Sequence, residues 1–281
     1  MTVFDWISIA KDQLDVEGLE MYDRFFTSLN REYLMQVRET VEQAGFVIPM
    51  LICSPDFTHP DPRERQRAIE YQKQMMEVAA LLGGEGVVCR TLSGQQRPEV
   101  SREQGVKWVV DAIQQVIPTA RKLGVTLGME NHYKDSQWTR PEFALKAEVF
   151  LEIIQAIDEH RHFGVQYDPS NAIVAGDDPI ALLEKVKDRV VSMHASDRHL
   201  KGVTLEQFRR IEQADQGMGY SQYLSHGVIG KGLNDYDKIF SILSRSGFNG
   251  WVSIEDGVNG LEEIKESLIF LKHMREKYSH N

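Results

Sequence analysis

Along the chain, short apolar runs alternate with longer stretches whose apolar positions recur about every 3.6 residues, the pattern of βα units and a parallel sheet. The apolar runs predict strands at residues 18–23, 46–53, 86–92, 125–132, 163–168, 190–195 and 250–256. Helices are predicted between them near residues 31–44, 63–82, 102–123, 141–159, 179–188 and 236–246, with a last one at 261–278. Start and stop signals agree: Asp61-Pro62 and Asp178-Pro179 open helices, and Gly83, Gly124 and Gly247 close them. The chain opens directly on a helical pattern, with Phe4, Ile7, Ala10 and Leu14 on one face. The expected architecture is therefore α/β, a (β/α)8-type barrel that lacks its first strand, built as a single domain over residues 1–281.

Strand side chains alternate between two faces, so each run can be split by parity. Val125, Leu127 and Met129 fall on one face, and Thr126, Gly128 and Glu130 on the other. The same split sets Phe163, Val165 and Tyr167 against Gly164, Gln166 and Asp168, then Val191 and Met193 against Ser192 and His194, then Val252 and Ile254 against Ser253 and Glu255. Each run brings an ionisable residue to its C-terminal end, on a face shared with small or polar neighbours. Carboxylates and an imidazole converging from the C-terminal ends of parallel strands predict a divalent-metal site, Glu130, Asp168, His194 and Glu255, with open positions for a substrate. By the same parity Glu20 and Arg90 face the interior from separate strands, which predicts an ion pair or an Arg90 contact to substrate.

At 281 residues and 42% hydrophobic content, the chain can bury a full core. It has no run of roughly 18 apolar residues, and its amphipathic, acid-bearing start is unlike a secretory signal, so a cytoplasmic protein without a membrane partner is expected. The net charge of -10 argues against nucleic acid as a partner. Cys53 and Cys89 both lie in strand-like runs and are expected to be core thiols, neither a disulfide nor a thiolate metal site. Residues 196–233 form a longer connection that breaks the rhythm and suits a substrate loop or lid.

With these residues in hand, the chain resembles the sugar phosphate isomerase/epimerase family, the xylose isomerase-like TIM barrels that include ketose 3-epimerases, hydroxypyruvate isomerase and inosose dehydratase. The likeness covers nearly the whole chain and is strongest from residue 128 to 260. It implies one divalent metal ion on Glu130, Asp168, His194 and Glu255, with Mn²⁺ foremost and Mg²⁺, Co²⁺ and Zn²⁺ as the other candidates. It also implies that Glu130 and Glu255 serve as acid and base on opposite sides of the substrate carbon, and that the protein is a homodimer or homotetramer. Two departures stand out. Asn171 of DPSN occupies a place where the epimerases often carry histidine, and Gly230-Lys231-Gly232 stands where a GEG turn is common, with His226 just upstream.

An ion in such a site can chelate vicinal carbonyl and hydroxyl oxygens and stabilise the enediolate left when a neighbouring proton departs. The expected function is thus a metal-dependent isomerase or epimerase acting on a small sugar or keto-sugar. His132, Lys134, Asn171, Arg198 and His226 are the expected substrate contacts, and Asp197 and Asp256 the expected hydrogen-bond supports of the ligands. Tyr133 and Trp138 are candidates for an apolar wall over the sugar ring. Two other readings stand beside this one: a lyase of the same barrel, expelling water from an inosose or an aglycone from a 3-keto-glycoside, and a non-catalytic sugar-binding or assembly subunit. An endonuclease IV-like enzyme shares the barrel, but the acidic balance and DPSN in place of a histidine-bearing stretch disfavour it.

Overall fold

The computed structural model describes residues 1–215, 220–255 and 259–278. Two compact units emerge, one joining residues 1–130 to 153–164 and the other joining 131–152 to 165–281.

The first unit opens on α1 (Val3–Gln13), where Thr2 accepts from the Asp5 N–H and the Asp5 carboxylate accepts from the Thr2 N–H. Then follow β1 (Met21–Tyr22), α2 (Arg31–Gln43), β2 (Met50–Ile52), α3 (Pro62–Gly83), β3 (Val88–Thr91), α4 (Arg102–Leu123) and β4 (Thr126–Glu130). The strands pair in chain order and in parallel, with Met21 opposite Leu51, Leu51 opposite Cys89, and Arg90 opposite Gly128. Asp61 and Ser101 cap α3 and α4 through backbone N–H groups of Arg63 and Gln104, and Gly124 closes α4 at a φ of 69°. Among the described residues the parallel strands number seven, and α1 precedes the first of them.

Helix α4 is tied to the segment that leads into β5 (Phe163–Tyr167). Arg121 donates to Glu159 at 2.9 and 2.5 Å, and the same carboxylate accepts from the N–H groups of Arg161 and His162. The Arg121 hydrogen bonds hold the Glu159 carboxyl down at about 2, against an opposing effect of burial. Cys53 and Cys89 are free, buried thiols with their sulfurs 3.9 Å apart, and burial pushes the Cys89 thiol up, so both behave as core atoms.

The second unit carries α5 (Ala147–Gln155) for most of its length, then α6 (Pro169–Val174), α7 (Pro179–Val186), β6 (Val190–Ala195), β7 (Arg198–Leu200), α8 (Leu205–Asp215), α9 (Tyr220–Tyr223), β8 (Leu224–His226), α10 (Tyr236–Arg245), β9 (Trp251–Ile254) and α11 (Leu261–Tyr278). Strands β5, β6 and β9 are parallel, with Gln166 opposite Ser192 and His194 opposite Ser253. Helix α5 is shorter than the predicted 141–159. Its first turn is held by a distant side chain, Asp177, which accepts from the Ala147 N–H at 2.8 Å, so the boundary is set by a contact that local periodicity does not contain.

The long connection has its own architecture. Strands β7 and β8 form an antiparallel ribbon, and Phe208 of α8 and Leu224 of β8 bury against Ile173 and Val174 of α6, with Leu200, Val203 and Leu205 packed around them. This satellite core anchors the ribbon to α6. Among the described residues no helix is long and apolar enough to cross a membrane.

Candidate metal centre

Asp168 ends the apolar run of β5 and simultaneously begins α6. Its Oδ1 accepts the N–H groups of Ser170 at 2.7 Å and Asn171 at 3.0 Å, an N-cap followed by Pro169 at the first helical position. Ser196 Oγ donates to both carboxylate oxygens, at 3.3 and 3.4 Å. The main chain of Asp168 is held as well: its N–H donates to Asn131 Oδ1 at 2.9 Å, and Asn131 Nδ2 donates to its carbonyl at 2.6 Å.

His194 lies on β6, fully buried, with Nδ1 2.9 Å from Glu255 Oε2. Glu255 follows β9, and its N–H donates to the Ala195 carbonyl, which extends the β6–β9 ladder and fixes the height at which its side chain leaves the backbone. One ligand atom each from Asp168, His194 and Glu255 lie within 4.8 Å of one another. Two of these side chains are buried, Asp168 and His194, while Glu255 remains 41% exposed and is the one open to solvent. Against the imidazole sits the amide of Gln166, its Nε2 2.8 Å from Nδ1 and 2.7 Å from Nε2 of His194.

In the first unit Glu130 ends β4 completely buried, and Arg90 of β3 donates to its Oε2 at 2.8 Å. Arg90 is 3% exposed and also donates to the Cys53 carbonyl and to Ser54 Oγ. The guanidinium therefore compensates a carboxylate charge that burial alone would make costly. The interior position foreseen for Arg90 is observed, with Glu130 as a partner.

The other residues singled out from the sequence fall as follows. His132 Nδ1 lies 3.5 Å from Oε2 of the buried Glu142, and Lys134 is half-buried in the same loop. Trp138 is buried, and Tyr133 packs on the satellite core. Asn171 is buried in the first turn of α6. Arg198 and His226 face each other in register across the β7–β8 ribbon, which brings together two residues far apart in sequence.

Asp197 is fully buried, and its carboxylate accepts four backbone N–H groups, those of Arg198, Gly230, Gly232 and Asn234, at 2.9 to 3.2 Å. Burial pushes its carboxyl up, and these N–H groups offset that only in part. The glycines of the GKG turn are explained by this clamp. Gly230 has a φ of 85°, and a Cβ on Gly232 would lie 2.4 Å from Asp197 Oδ1. Asp256 lies outside the described residues.

Sequence reasoning passed over Asn131, Gln166 and Glu142. Gln166 carried a signal, since an amide two positions before Asp168 on the inward face of an otherwise apolar strand needs a partner. The missed helix α6 carried one too: Asp168-Pro169 repeats the Asp-Pro start seen at α3 and α7.

A family model described as xylose isomerase-like TIM barrel matches residues 9–274. An inosose dehydratase of Clostridium beijerinckii is 30% identical over 89 residues, 32% of this chain and 28% of that protein. Another, of Erwinia tasmaniensis, is 24% identical over 255 residues, 88% of this chain and 73% of that protein. The chain spans half or less of the length of several other inosose dehydratases that it matches, 48% for one of Lacticaseibacillus casei and 50% for one of Bacillus cereus.

Solved structures share the fold. A D-tagatose 3-epimerase-like protein superposes with a TM-score of 0.72 at 19% identity, covering 94% of this chain and 90% of that one. A probable 3-DHS dehydratase of Bacillus anthracis gives 0.72 at 15% identity, covering 97% and 94%. The IOLI protein with a binding zinc atom gives 0.67 at 18% identity, covering 99% and 92%.

Proposed function

Since the chain belongs to the xylose isomerase-like TIM barrel family, we propose that it removes a proton from the carbon beside a carbonyl in a sugar or keto-polyol, with one divalent ion held by Glu130, Asp168, His194 and Glu255. The observation that carries this reading is the convergence of ligand atoms of Asp168, His194 and Glu255 within 4.8 Å. Glu130 joins them by its place at the end of β4 and by strand parity. The donor set fits the group, since carboxylate oxygens and a single imidazole suit Mn²⁺, Mg²⁺, Co²⁺ or Zn²⁺. A zinc atom in the IOLI structure is in keeping with such an ion. When bound, the ion supplies positive charge that acidifies the C–H beside a chelated carbonyl.

Glu255, the exposed member, takes the proton on one of its carboxylate oxygens. Glu130, held by Arg90, acts from the other side of the carbon when the reaction is an epimerisation. Arg198 and His226, adjacent on the ribbon, hold substrate oxygens and keep the carbon in line with the base.

Isomerisation or epimerisation and loss of water share this first step and diverge afterwards. The names of the curated relatives, inosose dehydratases, favour the second course, in which the electron pair expels a hydroxyl from the neighbouring carbon. The test combines metal content with solvent deuterium incorporation into ketoses, 3-keto-glucosides and inososes, comparing wild type with Glu255→Gln. About one ion per chain, with exchange that depends on both ion and Glu255, supports the reading, and product analysis then separates epimer from dehydration product. A protein that takes up no ion after reconstitution refutes it.

A further inference from the structure

The connection that leaves β1, residues 23–30, carries an aromatic cluster that the proposed reaction leaves unused. Its first turn is held at both ends. Asp23 Oδ2 accepts the Tyr71 hydroxyl of α3 at 2.5 Å, and the Phe26 N–H donates to the Asp23 carbonyl at 3.3 Å, closing a single turn over Asp23–Phe25. The Phe26 ring packs on Tyr33 of α2 with centroids 6.4 Å apart, and Tyr33 packs in turn on Phe4 of α1 at 5.8 Å. Phe25, between these anchors, is left 46% exposed, and Leu29 in the same connection 39%. A lone exposed apolar side chain requires no explanation, but two in one connection at the C-terminal end of a parallel strand do, since that is the end at which such folds bind ligands.

The strand register settles which way the cluster faces. Tyr22 is opposite Ile52, Leu51 is opposite Cys89 so that Ile52 is level with Arg90, and Arg90 is opposite Gly128. Paired residues of a parallel sheet present their side chains on one face. The Tyr22 ring therefore stands on the face from which Arg90 donates to Glu130. Along that face the lining passes from the buried charged pair on β4 and β3, through half-buried Ile52 and Ser54, to half-buried Tyr22. Tyr22 meets Phe25 edge to face at 5.7 Å and 82°, and the Arg24 guanidinium lies 5.1 Å from the centre of the Tyr22 ring. Three strand spacings of about 4.8 Å separate β1 from β4, roughly 14 Å of sheet, a span that one sugar ring does not cover.

We propose that Tyr22, Arg24 and Phe25 form a subsite for a second ring of the substrate, joined by a glycosidic bond to the keto-sugar that reacts at the Glu130 end of this face. This inference rests on the proposed function, which makes Glu130 part of the reacting centre. An exposed aromatic side chain takes up the apolar face of a ring through burial and dispersion. A guanidinium beside it donates hydrogen bonds to the oxygens at the ring's edge. An aryl group and a second sugar share this chemistry, a six-membered ring with an apolar face, and the experiment separates them.

The experiment uses the full chain carrying Glu255→Gln, so that turnover is blocked, supplied with Zn²⁺. Dissociation constants are measured by calorimetric titration for the methyl, phenyl and glucosyl 3-keto-glucosides. The methyl compound has everything but the second ring. The same three titrations are repeated after adding Phe25→Ala or Tyr22→Leu to this parent.

The expected result is that the parent binds the phenyl or the glucosyl compound roughly 3–10-fold tighter than the methyl one, the size of effect an aromatic contact gives. Whichever of the two gains identifies the ring. Phe25→Ala removes the preference while the methyl compound binds as it does to the parent, and Tyr22→Leu reduces it. If Phe25→Ala does not fold, Tyr22→Leu is judged by the same criteria. No ring preference in the parent, whether the three compounds bind equally or not at all, overturns the inference, and so does a preference that survives both substitutions. Failure of the proposed function looks different, because then the methyl compound binds no better with Zn²⁺ than without it, whatever the ring preference.

Discussion

The side-chain amide of Asn131 grips the main chain of Asp168 from both sides, accepting its N–H at 2.9 Å and donating to its carbonyl at 2.6 Å. At that point the chain is turning out of β5 into α6, and the amide ties down both the donor and the acceptor of the turning residue. Asn131→Ala therefore takes one hydrogen bond from a buried donor and one from a buried acceptor, a loss of about 1–3 kcal/mol each. Urea denaturation of the ion-free protein is expected to report a loss of that order, and an unchanged midpoint would remove the clasp from the account.

Arg90 and Glu130 form a buried ion pair in the first unit. Taking away the cation alone leaves a carboxylate without its counter-charge, so Arg90→Met is expected to destabilise by roughly 3–5 kcal/mol. The double variant Arg90→Met/Glu130→Gln should recover much of this loss, since no uncompensated charge remains. Equal loss in the single and double variants would mean that the packing of the Arg90 stem, not its charge, is what matters.

The acid limb of stability has a named contributor. Glu159 is held at about 2, below its ordinary 4.5, by the Arg121 hydrogen bonds, with the Arg161 and His162 N–H groups adding to them. A carboxyl lowered in the folded state adds stability that is present above 4.5 and disappears as the pH falls towards 2. Thermal unfolding followed through that window should therefore fall less steeply for Glu159→Gln than for wild type. Parallel curves would exclude Glu159 as the group responsible.

Phe208 tests the autonomy of the β7–β8 ribbon. It is fully buried in the satellite core with Leu224, Ile173 and Val174. Truncation to alanine carries the usual loss of about 3–5 kcal/mol for a buried aromatic. Because this cluster is a satellite, the loss should appear as faster hydrogen exchange in β7 and β8 while β5, β6 and β9 stay protected. Uniform loss of protection would show that the ribbon and the strands unfold together.

The strands are legible because a parallel βα pattern repeats its signals: apolar runs, an ionisable residue at the C-terminal end of four of them, and Asp-Pro or glycine at helix boundaries. Parity alone separated Asp168 and His194 from their apolar neighbours, and the structure groups both with Glu255. Less legible was whatever depends on distant partners. Asp197 sits beside a candidate ligand in sequence, yet its carboxylate is occupied by the 230–234 turn, more than thirty residues away, through groups that have no side-chain signature. The start of α5 depends in the same way on Asp177. The ribbon has no such signature in the sequence, because its strands are only three residues each and pair across the intervening helices α8 and α9.

Asp168 has two obligations that cannot be separated. One carboxylate oxygen starts α6, and α6 in turn carries Ile173 and Val174, on which the ribbon bearing Arg198 and His226 is seated. Its carboxylate is also the proposed ligand, so a substitution at this one position reaches both the proposed centre and the seat of the ribbon, and one that loosens the cap alone should be felt first in the ribbon.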